Sequence, residues 1–157
     1  MIVSKATSSD AYKLAKLFVD NVDETYITTG ELLYSRATLE SGWNSDVYDK
    51  VYEEILQSVD EKDRLILVLR EEESILGFTF TAILQNNCAE IWDFVVDLKH
   101  RGLGYGKKLY DSTLEECKKL GIQTVFLEVG NDNHRMIKFC ESSRLKPASK
   151  KYYTKIK

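Results

Sequence analysis

Between the strand-like run Cys88–Val96 and an amphipathic stretch that begins at Gly104, the chain carries Arg101-Gly-Leu-Gly-Tyr-Gly106, three of its eight glycines in five residues. A strand that hands over to a helix through alternating glycines commits the fold to a strand-loop-helix unit. The first N–H groups of that helix have no intrahelical acceptor, and the helix dipole adds about half a positive charge at the same end. Glycine tolerates positive φ and lets a bulky anion lie against the main chain. Arg101, Lys107 and Lys108 add cations. The expected visitor is a diphosphate. Two familiar phosphate loops are excluded: Lys107 stands where GxGxxG needs its third glycine, and the P-loop pattern fails at Arg101 and Lys108. A purely structural strand-to-helix turn is the plain alternative.

The rest of the chain sorts into short elements around that unit. Alternation near Ile2–Lys5 predicts a first strand, and Tyr12, Leu14, Leu17 and Phe18 predict a helix over about 9–22 behind an Asp10 cap. Thr28 or Thr29 can cap a short helix, and Ser41-Gly-Trp-Asn44 breaks any helix there. From Asp46 onward, Val47, Val51, Ile55 and Val59 lead an apolar stripe on an otherwise acidic helix. Arg64–Arg70 reads as a buried strand, with Ile75–Leu84 and Cys88–Val96 as antiparallel neighbours joined by polar turns. A helix is expected over about 104–120, stopped by Gly121, and then a strand at Thr124–Val129. Asn131 or Asp132 would cap a helix bearing Met136, Ile137 and Cys140, and Tyr152–Ile156 would close with a short strand. This order is a mixed α/β or α+β arrangement, a single domain over residues 1–157.

With 157 residues, 43% of them hydrophobic, the chain can build one core, and no apolar run approaches the roughly 20 residues that span a bilayer. The first residues lack a secretory pattern, so a cytoplasmic location is expected. Cys88, Cys117 and Cys140 are odd in number without CxxC spacing and read as free thiols. With only His100 and His134, neither a metal centre nor a serine triad is expected. The net charge of -3 conceals a polarity: residues 20–63 hold twelve acids against three bases, and residues 134–157 one acid against eight bases. Two solvated faces and two ligands of opposite charge both fit. An acidic wall attracts a cation and disfavours nucleic acid.

Arg101–Gly106 also fits Arg/Gln-x-x-Gly-x-Gly/Ala after a strand ending FVVDLKH, and residues 130–145 read GNDNHRMIKFCESSRL. Over about 89–145 these stretches resemble the two motifs of the GCN5-related N-acetyltransferase (GNAT) superfamily. The resemblance implies a mostly antiparallel mixed sheet with one parallel, V-splayed strand pair, flanked by helices. It puts acetyl-CoA between the fourth and fifth strands, its pyrophosphate on the amides of Arg101, Gly102, Leu103, Gly104, Tyr105 and Gly106. Lys107, Phe94, Val95, Val96 and Asn133 complete the implied cofactor side. The implied activity is direct transfer, in a ternary complex, to the primary amine of a cationic small molecule or to a protein amino group. Neither a nucleic-acid nor a membrane partner is implied, and a homodimer stays open because dimers are common in the superfamily. Two positions depart from the pattern: Cys140 replaces a frequent Tyr, and Arg144-Leu145 a frequent Gly-Phe. They sustain a second reading, a non-catalytic acyl-CoA-binding module that kept the phosphate loop.

An alkyl ammonium, with a pKa of about 10.4, must lose a proton before it can attack a thioester. By resemblance Glu90 is the base and Asp93 its rival, on the opposite face of a regular strand unless a bulge undoes the parity. Val95 or Val96 would offer a backbone N–H to the carbonyl oxygen as negative charge grows there. Cys140 stands at the position of the usual proton donor to the leaving thiolate. Its commoner use is as a buried apolar residue. Asn133 reads as a ligand of the pantetheine arm or as a helix cap. The acceptor side is expected within residues 20–63, with Tyr26, Tyr34, Trp43 and Trp92 as walls.

Overall fold

Leu65, Leu67 and Leu69 alternate with Ile66 and Val68 in one strand, and all five are buried. A strand apolar on both faces needs cover on both, and the rest of the chain supplies it. The computed structural model describes residues 1–156. In chain order the elements are β1 (Ile2–Lys5), α1 (Ala11–Asn21), α2 (Thr29–Leu33), β2 (Ala37–Thr38), β3 (Gly42–Trp43), α3 (Val47–Ser58), β4 (Arg64–Glu71), β5 (Ser74–Ile83), β6 (Cys88–Val96), α4 (Tyr105–Lys119), β7 (Thr124–Leu127) and α5 (His134–Ser142). The main sheet runs β1-β4-β5-β6-β7, and β2 and β3 form a separate hairpin. Every neighbouring pair of the main sheet is antiparallel except β6 and β7, which are parallel. The fold is therefore the expected mixed α/β sheet with one parallel pair.

On one face, Leu14 and Phe18 of α1 and Val51 and Ile55 of α3 pack on Ile66, Val68, Phe78 and Phe80. On the other, Leu109 and Cys117 of α4 meet Leu65, Leu67 and Leu69. Buried polar contacts accompany this second face: Thr113 Oγ1 meets Thr79 Oγ1 at 2.8 Å and donates to the Leu109 carbonyl at 2.9 Å. Cys88, Cys117 and Cys140 are all free thiols.

Several sequence expectations are corrected. Asp10 stands at the N-cap of α1 as expected, but its carboxylate makes no capping bond to that helix and instead accepts from the Thr7 N–H at 2.8 Å and from Arg70 at 2.6 Å, turning the chain from β1 into the helix. The cap of α5 is Asn133, whose Oδ1 accepts from Met136 N at 3.1 Å, rather than Asn131 or Asp132. β7 ends at Leu127, two residues early, because its partner turns away there. Residues 152–156 form no strand: Tyr152, Tyr153 and Ile156 are exposed, and alternation alone cannot hold a strand that has neither a partner ladder nor a face to bury.

Candidate active site

β6 and β7 pair only from Cys88 opposite Thr124 to Ile91 opposite Leu127. Immediately beyond, β6 carries one extra residue relative to β5: Asp93 pairs with Phe80 and Ile91 with Thr81, leaving Trp92 unmatched. Such a bulge bends and twists the strand that contains it. The two strands part, and a cleft opens between Trp92–Val95 and Glu128–Gly130. Residues 25–27 close over the far lip, where a Cβ on Gly130 would lie 2.2 Å from the Thr25 carbonyl oxygen.

A cavity of about 520 Å³ lies along the outer side of this opening, lined by Phe94, Val96, Arg101, Gly102, Gly104, Gly106 and Lys107 from the β6–α4 side and by Asn133, Arg135, Met136 and Phe139 from α5 and its cap. Gly104 is the helix cap, with φ at +82°, and Gly102 has φ at +83°. A Cβ built on either would meet nothing within 4 Å. Backbone conformation, rather than crowding, therefore demands glycine, and the open space beside the loop suits an anion at the start of α4.

The loop is held from below. Asn21 Oδ1, at the end of α1, accepts from Leu98 N at 2.6 Å. Arg101 donates to the carbonyls of Val96 at 2.9 Å and Asn21 at 2.6 Å, and its guanidinium lies over the Tyr26 ring. Arg101 thus staples the loop as well as lending it charge. Lys107 is paired with Asp111. Arg135, on the opposite wall, is a further cation that sequence reasoning passed over; its place in the first turn of the helix led by Asn133 was the available signal.

The inner cleft is narrow, about 50 Å³, and shares Tyr26, Phe94, Asn133 and Met136 with the larger cavity, so the two meet. Its polar lining is acidic, with Glu31, Asp93 and Glu128. Arg36 organises this side from within. It reaches Asp93 Oδ1 at 3.0 Å, Glu31 Oε2 at 3.4 Å and Glu54, and the Arg36 and Asp93 side chains are 4% and 1% exposed. Burial opposes its charge, but Asp93, Glu31 and Glu54 outweigh burial and hold the guanidinium protonated. Burial and then the Asp93 charge raise the Glu31 pKa to about 7, and burial pushes Glu54 up. Glu128 accepts from Thr29 Oγ1 at 2.6 Å and stands 3.7 Å from Lys151. Lys155 meets Glu40 in the same way. The basic C-terminal stretch thus lies against the acidic segment, and part of the charge polarity is internal pairing.

The structure brings Phe94, Val96, Arg101, Gly102, Gly104, Gly106, Lys107 and Asn133 to the larger cavity, and Phe94, Val95 and Asn133 to the cleft. Leu103 points to solvent, 61% exposed, and Tyr105 stacks on His100. Glu90 lines neither space; its carboxylate accepts from Trp92 Nε1 at 3.3 Å. Cys140 also lines neither, and burial raises its thiol pKa. Tyr26 and Trp92 are walls as expected, whereas Trp43 packs edge-on against Phe18 and Tyr34 against Trp92. Glu31, Arg36, Glu128 and Gly130 were missed, because nothing local to each marks a residue that meets its partners only across the sheet.

The family model for the acetyltransferase (GNAT) family matches residues 31–144. A glucosamine 6-phosphate N-acetyltransferase of Arabidopsis thaliana is 28% identical over 153 residues, covering 92% of this chain and 99% of that protein. Among solved structures, PaiA N-acetyltransferase of Thermoplasma acidophilum in complex with coenzyme A matches with a TM-score of 0.69 and 20% identity, over 90% of this chain and 87% of that one. An aminoglycoside acetyltransferase from an uncultured soil metagenomic sample, in complex with sisomicin, matches with a TM-score of 0.68 and 18% identity, over 99% and 96%. The splayed pair, the glycine loop at its mouth and the family match over most of the chain agree: this chain belongs to the GNAT acetyltransferase family, as an acetyl-CoA-dependent N-acetyltransferase.

Proposed function

We propose that the chain, acting as one domain, transfers the acetyl group of acetyl-CoA to the primary amine of a cationic small molecule by direct attack in a ternary complex. The observation that carries this reading is the junction at Tyr26, Phe94, Asn133 and Met136, where a cavity fit for the cofactor opens onto a cleft lined by three carboxylates. Gly102, Gly104, Arg101, Lys107 and Arg135 would hold the phosphates, and Phe94, Val96, Asn133 and Phe139 the pantetheine arm. Val96, whose N–H faces away from β5 because the hydrogen-bonded pairs fall at Leu76 with Asp97 and at Phe78 with Val95, offers its backbone N–H to the thioester oxygen. Cys140 serves packing rather than proton donation.

The relatives named above act, by their names, on an amino sugar phosphate and on aminoglycosides. For this chain the acidic lining favours an acceptor of net positive charge, and a cleft of about 50 Å³ admits an amine-bearing arm rather than a whole sugar. The test is thiol release from acetyl-CoA against 1,4-diaminobutane, sisomicin, glucosamine 6-phosphate and a lysine-containing peptide. Dications should be turned over with higher kcat/KM than the phosphorylated sugar. No release from any amine, with coenzyme A still raising Tm, would support the non-catalytic acyl-CoA-binding reading instead.

A further inference from the structure

We infer that Glu31, carried by α2 into the cleft beside Asp93, is the group that takes the proton from the acceptor amine; this rests on the amine-acetyltransferase reading above. Three carboxylates, Glu31, Asp93 and Glu128, line the cleft, and a fourth, Glu54, lies behind them on Arg36. Asp93 contacts Arg36 through both oxygens, at 3.0 and 3.5 Å, and is committed to that pair. Glu54 is paired with the same guanidinium from α3 and does not line the cleft. Glu128, across the cleft just beyond the end of β7, is engaged by Thr29 and Lys151.

Glu31 holds the weakest share of Arg36, one contact at 3.4 Å through Oε2, and it lines the cleft. Its position is nevertheless firm. The Arg36 N–H donates to the Glu31 carbonyl at 2.8 Å, closing the end of α2 around the pair, and the residue is 7% exposed. A buried carboxylate with a fixed backbone, a surplus of negative neighbours and open access is suited to accept a proton near neutral pH. Burial and Asp93 bring its pKa to about 7, with Arg36 and Glu54 the other charged groups facing it and Tyr26 and Glu128 the other titratable groups of the cleft lining. Glu90, by contrast, lies outside the cleft lining and is bonded to Trp92.

The cationic acceptor enters, and Glu31, directly or through one water, removes one ammonium proton, which then leaves to solvent. The neutral nitrogen attacks the thioester carbon, the C–N bond forms and the C–S bond breaks. The second proton lost by nitrogen ends on the coenzyme A thiolate.

The experiment follows thiol release with 1,4-diaminobutane, or the best amine of the panel, between pH 5.5 and 9.5. In Glu31→Gln, kcat at pH 7 should fall about 100-fold or more, the loss expected for a general base. Its residual rate should rise with pH as the free-amine fraction grows, so that the deficit narrows in alkali. Glu31→Asp should recover part of the rate, and the Tm rise produced by coenzyme A should be unchanged in both variants. A wild-type pH profile in Glu31→Gln, or the same collapse appearing only in Glu90→Gln, overturns this inference while leaving the acetyltransferase reading intact. An absence of turnover by the wild-type enzyme with every amine overturns that reading and this one with it.

Discussion

At the scale of single residues, two glycines illustrate different constraints. Gly104 sits at φ +82° beside open space, so a side chain there is strained by conformation and not by contact. Gly104→Asp also brings a negative charge to the anion site, and it should abolish the Tm increase given by coenzyme A while the far-UV circular dichroism stays native. Gly130 is the reverse case, with ordinary φ but no room beside the Thr25 carbonyl. Gly130→Ala must push residues 25–27 off the cleft, at a cost of about 1–3 kcal/mol, and should raise KM for the amine more than for acetyl-CoA. Cys140→Ala should keep most of the turnover, since a coenzyme A thiolate is a tolerable leaving group near neutral pH. A loss of about 100-fold, the size expected for a general acid, would return the thiol to the chemistry.

At the scale of elements, the site is made where α2, α3, β6 and β7 converge. Arg36, between α2 and β2, joins three of these through Glu31, Glu54 and Asp93. Removing one partner of a buried charge cluster leaves the others uncompensated, so Arg36→Met should cost about 3–5 kcal/mol in urea unfolding at pH 8. The cost should shrink near pH 5, below the raised Glu31 pKa of about 7, where that carboxyl takes up a proton. Lys151 brings a second kind of coupling: its ammonium reaches Glu128 and Thr29 at the edge of the cleft. Lys151→Gln should lower KM for a dicationic acceptor several-fold with kcat unchanged, because an internal cation no longer competes for Glu128.

For the whole molecule, pH acts in two opposed windows. Burial would raise the Asp10 pKa, but the bonds from Arg70 and Thr7 outweigh it and hold the carboxyl below its usual value. The stability this contributes is present above the unfolded pKa of about 3.9 and is lost as pH falls through the depressed folded value. Glu31 behaves oppositely. With its pKa raised from 4.5 to about 7, the folded state binds more protons than the unfolded chain in that interval, so stability falls as pH rises through it. Tm should therefore peak on the acid side of neutrality, and Glu31→Gln should raise Tm at pH 8 while changing it little at pH 5. Equal Tm shifts at both values would show that Glu31 titrates like an ordinary surface carboxylate.

The bounds of β6 and the hairpin turn at Asn86 and Asn87, both at positive φ, were legible in the sequence, as were the glycine cap of α4 and its stop at Gly121. Each depends on residues within a few positions of one another: periodicity sets which face is buried, and glycine or asparagine sets where the backbone can turn. Most of the lining of the larger cavity was legible for the same reason, since one loop and one cap supply most of it. The narrow cleft was legible only as an acidic segment with Tyr26, Trp92 and Asp93 beside it, and not in how its charges are arranged. Glu31 and Arg36, Glu54, Asp93, and Glu128 come from four separate stretches, and the register between β5 and β6 is what locates the unmatched Trp92 where the cleft opens. The tail shows the converse, an alternating pattern without a strand, because a strand is completed by its neighbour's hydrogen bonds and not by its own residues. Charge follows the same division: sequence states how many carboxylates there are, but burial and the distances among them, which arise only when the sheet closes, decide which one is left able to take a proton.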